Sequence, residues 1–193
     1  EELRALLGLP YECKVILFFG FVRAYKGLSY LLEAMPILMG EGVPIRLVIA
    51  GEFWEKEDIY IQQLAKLGIE DMVSMYPEYI PDDQAAKFFE VADVFVAPYT
   101  GGTQSGSVKL ALGYGLPIVV TEVVADELVR QSPGKMEVVE AGNAVDLATG
   151  IKTILQQPSG LNDTREFLNQ SSWNTLIQAL EFGKDDKQNY GRS

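Results

Sequence analysis

Histidine is missing from this 193-residue chain. That absence removes the Ser–His and Cys–His nucleophile pairs together with the usual zinc-enzyme ligand sets. Cysteine occurs once, at Cys13, so no disulfide can form within the chain and a reducing, cytoplasmic setting is expected. Cys13 opens an apolar run and reads as a small packing residue rather than a nucleophile. No apolar stretch approaches the roughly 20 residues needed to span a bilayer, and no signal peptide is visible. Neither a Walker A loop nor a G-x-G-x-x-G occurs, which removes the main sequence support for P-loop or dinucleotide chemistry. Positive charge is scarce: 16 Lys and Arg face 27 Asp and Glu, a formal net charge of −11. Such a surface repels a nucleic-acid backbone and disfavours broad binding to anionic membrane. A few local cations and backbone amides can still hold a small anion.

What is present suits one folded domain. Hydrophobic residues make up 48% of the chain and charged residues 22%, enough apolar surface for a substantial core. Short β-rich runs alternate with amphipathic ones, as in βαβ units. Strands are expected at Lys14–Gly20, Ile45–Gly51, Val73–Tyr79, Asp93–Pro98, Ile118–Thr121 and Met136–Val139. The first two are almost continuously apolar, the mark of strands buried on both faces. Helices are expected at Leu28–Met39 and Glu57–Leu67, each with an apolar stripe, at Pro81–Val91, with proline at the first helical position, and at Ser105–Tyr114, Val123–Gln131 and Asn143–Gln156. A further helix, Asp163–Phe182, carries Trp173, Leu176, Ile177 and Leu180 on one face, and a polar tail follows. The expected fold class is α/β: a doubly wound, Rossmann-like parallel sheet of about six strands with helices on both faces. The division is residues 1–160 as the Rossmann-like domain, 161–183 as a helical extension and 184–193 as a disordered tail.

Doubly wound sheets bind ligands beyond the carboxyl ends of their strands, so the loops there carry the candidates. In GFVRAYKG, at Gly20–Gly27, Arg23 offers a fork of donors for phosphate oxygens and Lys26 a mobile point charge; the plainer reading is two solvated cations. In YTGGTQSG, at Tyr99–Gly106, two glycines permit close backbone approach, Thr103 and Ser105 bring hydroxyls, and the helix that follows brings unpaired amides. The plainer reading there is an N-cap. Lys109, one turn on, either points at a bound anion or is solvated. Glu52, Glu122 and Asp126 are carboxylates on the same edge, suited to sugar or ribose hydroxyls, whereas Glu127 is a first-turn helix carboxylate. Tyr25, Phe53, Trp54 and Tyr79 either stack on a base or sugar or simply pack.

Taken together, GFVRAYKGLSYLLEA at Gly20–Ala34, LVIAGE at Leu47–Glu52 and the run Ala92–Leu128 with its TQSG segment resemble the carboxyl-terminal, donor-binding domain of the retaining family-four, or group 1, glycosyltransferases of GT-B architecture. The ordered matches run from about Glu1 to Gln156, and SSWNTLIQAL at Ser171–Leu180 resembles the family's last helix, which braces a partner domain. The resemblance implies transfer of a sugar from a nucleotide-sugar donor to an acceptor hydroxyl with retention at the anomeric carbon, without a metal or other cofactor. It assigns the donor diphosphate to Arg23, Lys26, Ser105 and Gly106. Gly102, Thr103 and Gln104 fall to the sugar, and Tyr79, Ile80 and Lys109 to the nucleoside. The acceptor, a glycan or lipid-linked sugar, is expected to be met by a separate amino-terminal domain.

Two departures from the family pattern are visible. The family arginine usually follows the glycine immediately, where this chain has Phe21; Arg23 resembles a variant spacing. The family's paired glutamates, E-x7-E, fall here on Gly102 and Leu110. A transferase-like module that binds without catalysing is therefore an alternative reading, and an unrelated doubly wound phosphate-binding domain is a third.

Overall fold

A computed structural model describes residues 2–10, 12–39, 44–102, 105–131 and 135–157. Thr103 and Gln104, the expected helix Asp163–Phe182 and the polar tail lie outside the described residues. The expected architecture is observed: one six-stranded, all-parallel sheet in the order β3-β2-β1-β4-β5-β6. The strands are β1 (Lys14–Phe19), β2 (Ile45–Ala50), β3 (Val73–Tyr76), β4 (Val94–Ala97), β5 (Ile118–Thr121) and β6 (Met136–Val139). The helices are α1 (Glu2–Leu6), α2 (Leu28–Leu38), α3 (Glu57–Leu67), α4 (Asp82–Val91), α5 (Gly106–Gly113), α6 (Glu127–Arg130) and α7 (Ala144–Gln156).

Burial on both faces explains the apolar central strands. Alternate residues of β1 serve two cores: Val15 and Leu17 pack with Phe88 and Phe89 of α4 and Val108 of α5, while Ile16 and Phe18 pack with Leu31 and Leu32 of α2 and Ile151 of α7. A strand sandwiched between helix layers leaves no face for polar alternation. Local chemistry sets the helix starts. Ser105, Asp126 and Asn143 each lend a side-chain oxygen to first-turn amides of α5, α6 and α7, satisfying donors that the helix itself cannot.

Three element readings differ from the structure. The third strand ends at Tyr76 rather than Tyr79, because Pro77 has no amide with which to extend a ladder. The expected helix Val123–Gln131 shortens to α6, because Asp126 caps it; Val124 and Ala125 are buried in the preceding turn. The short helix α1 had no sequence signal. Arg4 fixes it by donating to the carbonyls of Cys13 and Val91 and to Asp93, which also binds Lys14 Nζ and the amide of Val15. That clasp sits at the amino-terminal edge of β1 and β4, opposite the candidate site.

Strand order reverses between β1 and β4, so the loops leaving these two neighbours diverge to opposite faces and open a crevice at their carboxyl ends. Gly27 draws the two loops close. It adopts φ +69°, and a Cβ there would lie 1.9 Å from the carbonyl oxygen of Pro98.

Candidate functional site

The β1 loop rises from Gly20, crosses beside β2 through the bridge Val22–Phe53, and tightens into a 3-10 turn at Ala24–Lys26 before α2 begins. The β4 loop is stitched to it. Tyr25 O accepts from the amide of Thr100 at 2.7 Å and from the Thr100 hydroxyl at 3.3 Å, and the Tyr25 and Tyr99 rings meet edge to face. Thr121 Oγ1, at the end of β5, donates to Tyr99 O at 2.7 Å. Three strand ends are thereby tied into one wall.

Lys26 sits in that wall. The residue is only 9% exposed, yet its ammonium makes no hydrogen bond or ion pair with any described residue. Its neighbours are the Tyr99 ring, 5.4 Å from Nζ, and the bare Cα of Gly20. A Cβ built on Gly20 would lie 3.2 Å from Lys26 Nζ and 2.8 Å from Ser107 Oγ. Gly20 also adopts φ +110°, a conformation that L side chains rarely take. The sequence therefore places a glycine where a lysine from one loop and a serine from the first turn of α5 converge.

Arg23 takes a different direction, its guanidinium stacking 4.0 Å from the centre of the Trp54 ring. Trp54 leans on Phe21, and Phe21 on Tyr79. The result is a ledge of one cation and three aromatic rings over the ends of β1, β2 and β3, with Trp54 and Tyr79 exposed. Tyr25, by contrast, contacts the β4 loop, with ring carbons 3.5 and 3.8 Å from the position of a Gly102 Cβ, and Phe53 packs against Tyr60.

The remaining candidates divide. Ser105 is buried, and its Oγ accepts from the Val108 amide and bonds the Tyr99 hydroxyl at 3.1 Å. The cap reading thus holds for its hydroxyl. Gly106 begins α5, where amide donors of the first turn face outward without helix partners. Lys109 lies one turn further along the helix and is half-buried. Ile80 is buried in the α4-side core while Tyr79 beside it is exposed. Among the edge carboxylates, Asp126 is engaged as the cap of α6 and Glu122 Oε2 accepts from the Ala141 amide at 3.0 Å; Glu52 remains exposed. Ser107 was not legible as a site residue, because its partner Gly20 comes from another loop and only the β1–β4 adjacency joins them.

Known proteins resemble this chain in sequence and in fold. The chain is 27% identical over 173 residues to "D-inositol 3-phosphate glycosyltransferase 1" of Catenulispora acidiphila, an alignment covering 86% of this chain and 41% of that protein. It therefore spans about two fifths of the length of that curated relative. The fold matches the crystal structure of Anabaena Alr3699/HepE in complex with UDP and glucose, with TM-score 0.74 and 19% identity over 95% of this chain and 51% of that one. It also matches the C-terminal domain of a glycosyl transferase group 1 family protein (LpcC) of Francisella tularensis, with TM-score 0.68 and 14% identity over 92% and 90% of the two chains. Among the described residues no helix is long and apolar enough to cross a membrane. The stretch from the start of β1 to the end of α7 is the part that matches the family "Glycosyl transferases group 1", residues 13–157, and the chain belongs to that family.

Proposed function

We propose that this chain is the donor-binding half of a retaining glycosyltransferase, which moves a sugar from a nucleotide-sugar to an acceptor hydroxyl. The observation that carries the reading is Lys26: a buried lysine at the β1–β4 switch point whose ammonium has no carboxylate or hydrogen-bond partner among the described residues. Its stem is buried while its unpaired ammonium reaches the crevice, so the lysine offers a held charge to an anionic ligand there. The amides at the start of α5 add partial positive charge on the other side of the crevice.

In this reading Lys26, Arg23 and the Ser105–Gly106 helix start hold the donor diphosphate. When the bond from the anomeric carbon to the diphosphate oxygen breaks, these fixed donors stabilise the charge that collects on the leaving group. Gly102, Thr103 and Gln104 meet the sugar; the last two lie outside the described residues. Tyr79 and Ile80, with Lys109, border the nucleoside, and the exposed rings of Trp54 and Tyr79 offer a stacking surface. The acceptor glycan or lipid-linked sugar is met by a separate domain, braced by the segment 161–183. The longer protein works in the cytosol or peripherally at a membrane.

The test is calorimetric titration of this chain with UDP, GDP and ADP, repeated on an Arg23→Ala, Lys26→Ala double variant. Binding of one nucleotide, weakened by two or more orders of magnitude in the variant, is expected from the loss of two charge-assisted contacts. Absence of binding by all three, or binding undiminished in the variant, refutes the donor site. A second reading rests on Gly102 and Leu110, which occupy the positions of the family's paired glutamates: a domain that binds donor without turnover. Donor hydrolysis or transfer by the full-length protein distinguishes the two.

A further inference from the structure

We propose that Trp54 is a positioning residue for Arg23: its ring orders the guanidinium before a ligand arrives, so that the donor meets an arginine already in place. The proposal rests on the donor-site reading above. It gives a role in that site to the β2 loop, which the reading uses only as a stacking surface.

Trp54 is 43% exposed, yet it is held from both sides. Phe53 before it packs edge to face on buried Tyr60, and Glu55 after it accepts a hydrogen bond from the Tyr60 hydroxyl. The Trp54 amide donates to Val22 O at 3.0 Å, and the Val22 amide donates to Glu52 O at 2.9 Å. These two bonds add a parallel rung beyond the ends of β1 and β2, with Val22 fully buried in it. The indole also leans on Phe21, with ring centres 4.8 Å apart. A ring fixed to α3 and to the β1 loop, but left half in water, is placed for something other than the core.

Arg23 leaves the same rung. Its backbone is extended, with φ −138° and ψ 152°, and its carbonyl accepts from the Lys26 amide at 2.9 Å. The main chain is therefore set, and only the side chain has freedom to lose. Arginine is among the costliest side chains to order. The Trp54 ring meets the face of the guanidinium, 4.0 Å from the ring centre to Cζ. A ring holds a cation by its face without cancelling its charge, and the N–H bonds that grip phosphate oxygens lie in the guanidinium plane. Lys26 is served in the same way from the other side, its Nζ 5.4 Å from the Tyr99 ring. Each cation of the β1 loop thus rests on an aromatic side chain of a neighbouring loop, Arg23 on the β2 loop and Lys26 on the β4 loop. What Trp54 contributes to binding passes through Arg23 and disappears with it.

The experiment is a double-mutant cycle read by titration calorimetry of this chain with UDP, GDP and ADP. The proteins are the wild type, Trp54→Leu, Arg23→Ala and the variant carrying both, with Trp54→Tyr and Lys26→Ala alongside and melting temperatures measured for all. Leucine keeps apolar bulk and removes the ring face. For whichever diphosphate binds, Trp54→Leu is expected to weaken binding more in the presence of Arg23 than in its absence. The two losses should differ by about two- to fivefold, the scale of an exposed cation–π contact. Direct stacking of Trp54 on the base weakens both backgrounds alike and cancels from that ratio. Trp54→Tyr, which keeps an aromatic face, binds nearly as the wild type does. If Trp54→Leu costs the same with and without Arg23, Trp54 acts on the ligand or the fold by itself and the assignment falls. If Arg23→Ala leaves binding unchanged while Lys26→Ala weakens it, the assignment falls and the donor site stands on Lys26. If the wild type binds none of the three diphosphates, the donor-site reading falls and takes this inference with it.

Discussion

Replacing Lys26 with methionine separates what this lysine does for the fold from what it does for a ligand. Methionine keeps an unbranched stem of similar length in the same wall and removes only the charge. Two opposing terms follow in the empty protein. The ammonium's attraction to the Tyr99 ring, 5.4 Å away, is lost, a cost of about 0.5–1 kcal/mol. The ammonium reaches the crevice rather than being sealed from water, so little desolvation is relieved, and the added apolar contact of the methionine end offsets about the same amount. The net expectation is a change of less than about 1 kcal/mol, which for a domain this size moves Tm by no more than roughly 2–4 °C. Binding responds more strongly. Losing a charge-assisted contact to phosphate costs about 1.5–3 kcal/mol, so nucleoside diphosphate affinity drops by about one to two orders of magnitude. Differential scanning calorimetry reads the first effect and titration calorimetry the second. Because the site is partly screened by its walls, the affinity difference persists at raised ionic strength more than a surface contact would. A variant that melts several degrees lower and still binds diphosphate as the wild type does would refute the reasoning. Lys26 would then be a packing residue, its charge incidental.

Other expectations concern the scaffold. Gly27→Ala forces a β-carbon to within 1.9 Å of Pro98 O at a φ of +69°; strain and overlap together cost about 3 kcal/mol, read as a lower urea midpoint, and an unchanged midpoint contradicts the packing described here. Stability should also decline in alkali. Burial raises the Cys13 thiol above its ordinary value of 9.0 and the Tyr60, Tyr76 and Tyr114 hydroxyls above 10.0, Tyr60 being raised further by its hydrogen bond to Glu55. Each group keeps its proton in the folded chain at a pH where the unfolded chain has begun to lose it. Their stabilisation is therefore complete below about pH 9 and falls as pH climbs from the ordinary values through the raised ones. Urea midpoints at about pH 7, 9 and 10.5 should fall in that order, with Tyr60→Phe flattening the upper part; a level profile counts against the buried hydroxyls.

The sheet was legible in the sequence wherever burial on two faces left an unbroken apolar run, as in Val15–Phe18 and Leu47–Ala50. Helix starts were legible where a capping side chain precedes the stripe, as Asn143 does for α7. Legibility failed where long-range contacts decide. Helix α1 contains no buried residue of its own and is fixed by Arg4 reaching groups as distant as Asp93. The start of α6 was misread because the buried Val124 and Ala125 look helical by composition, although the Asp126 cap two residues later sets the boundary. At the site, the sequence pointed to the loop of Lys26 and to the α5 start, and the structure brings Lys26 and the first turn of α5 together over Gly20. Local sequence could not tell which of two serines was occupied, since Ser105 owes its engagement to Tyr99 and Ser107 its opening to Gly20.

The carbonyl of Tyr25, held by both the amide and the hydroxyl of Thr100, has a consequence for how a ligand is received. Two loops that leave neighbouring strands toward opposite faces would ordinarily each sample their own conformations, and a guest bridging them would have to freeze both. Here that oxygen, with the Tyr25–Tyr99 ring contact and the close approach of Gly27 to Pro98, couples them, so their relative position is set when the chain folds. The entropy of ordering this wall is spent before any ligand arrives. Recognition at this edge is then a matter of fit to a surface already set, and whatever freedom is lost on binding belongs to the guest.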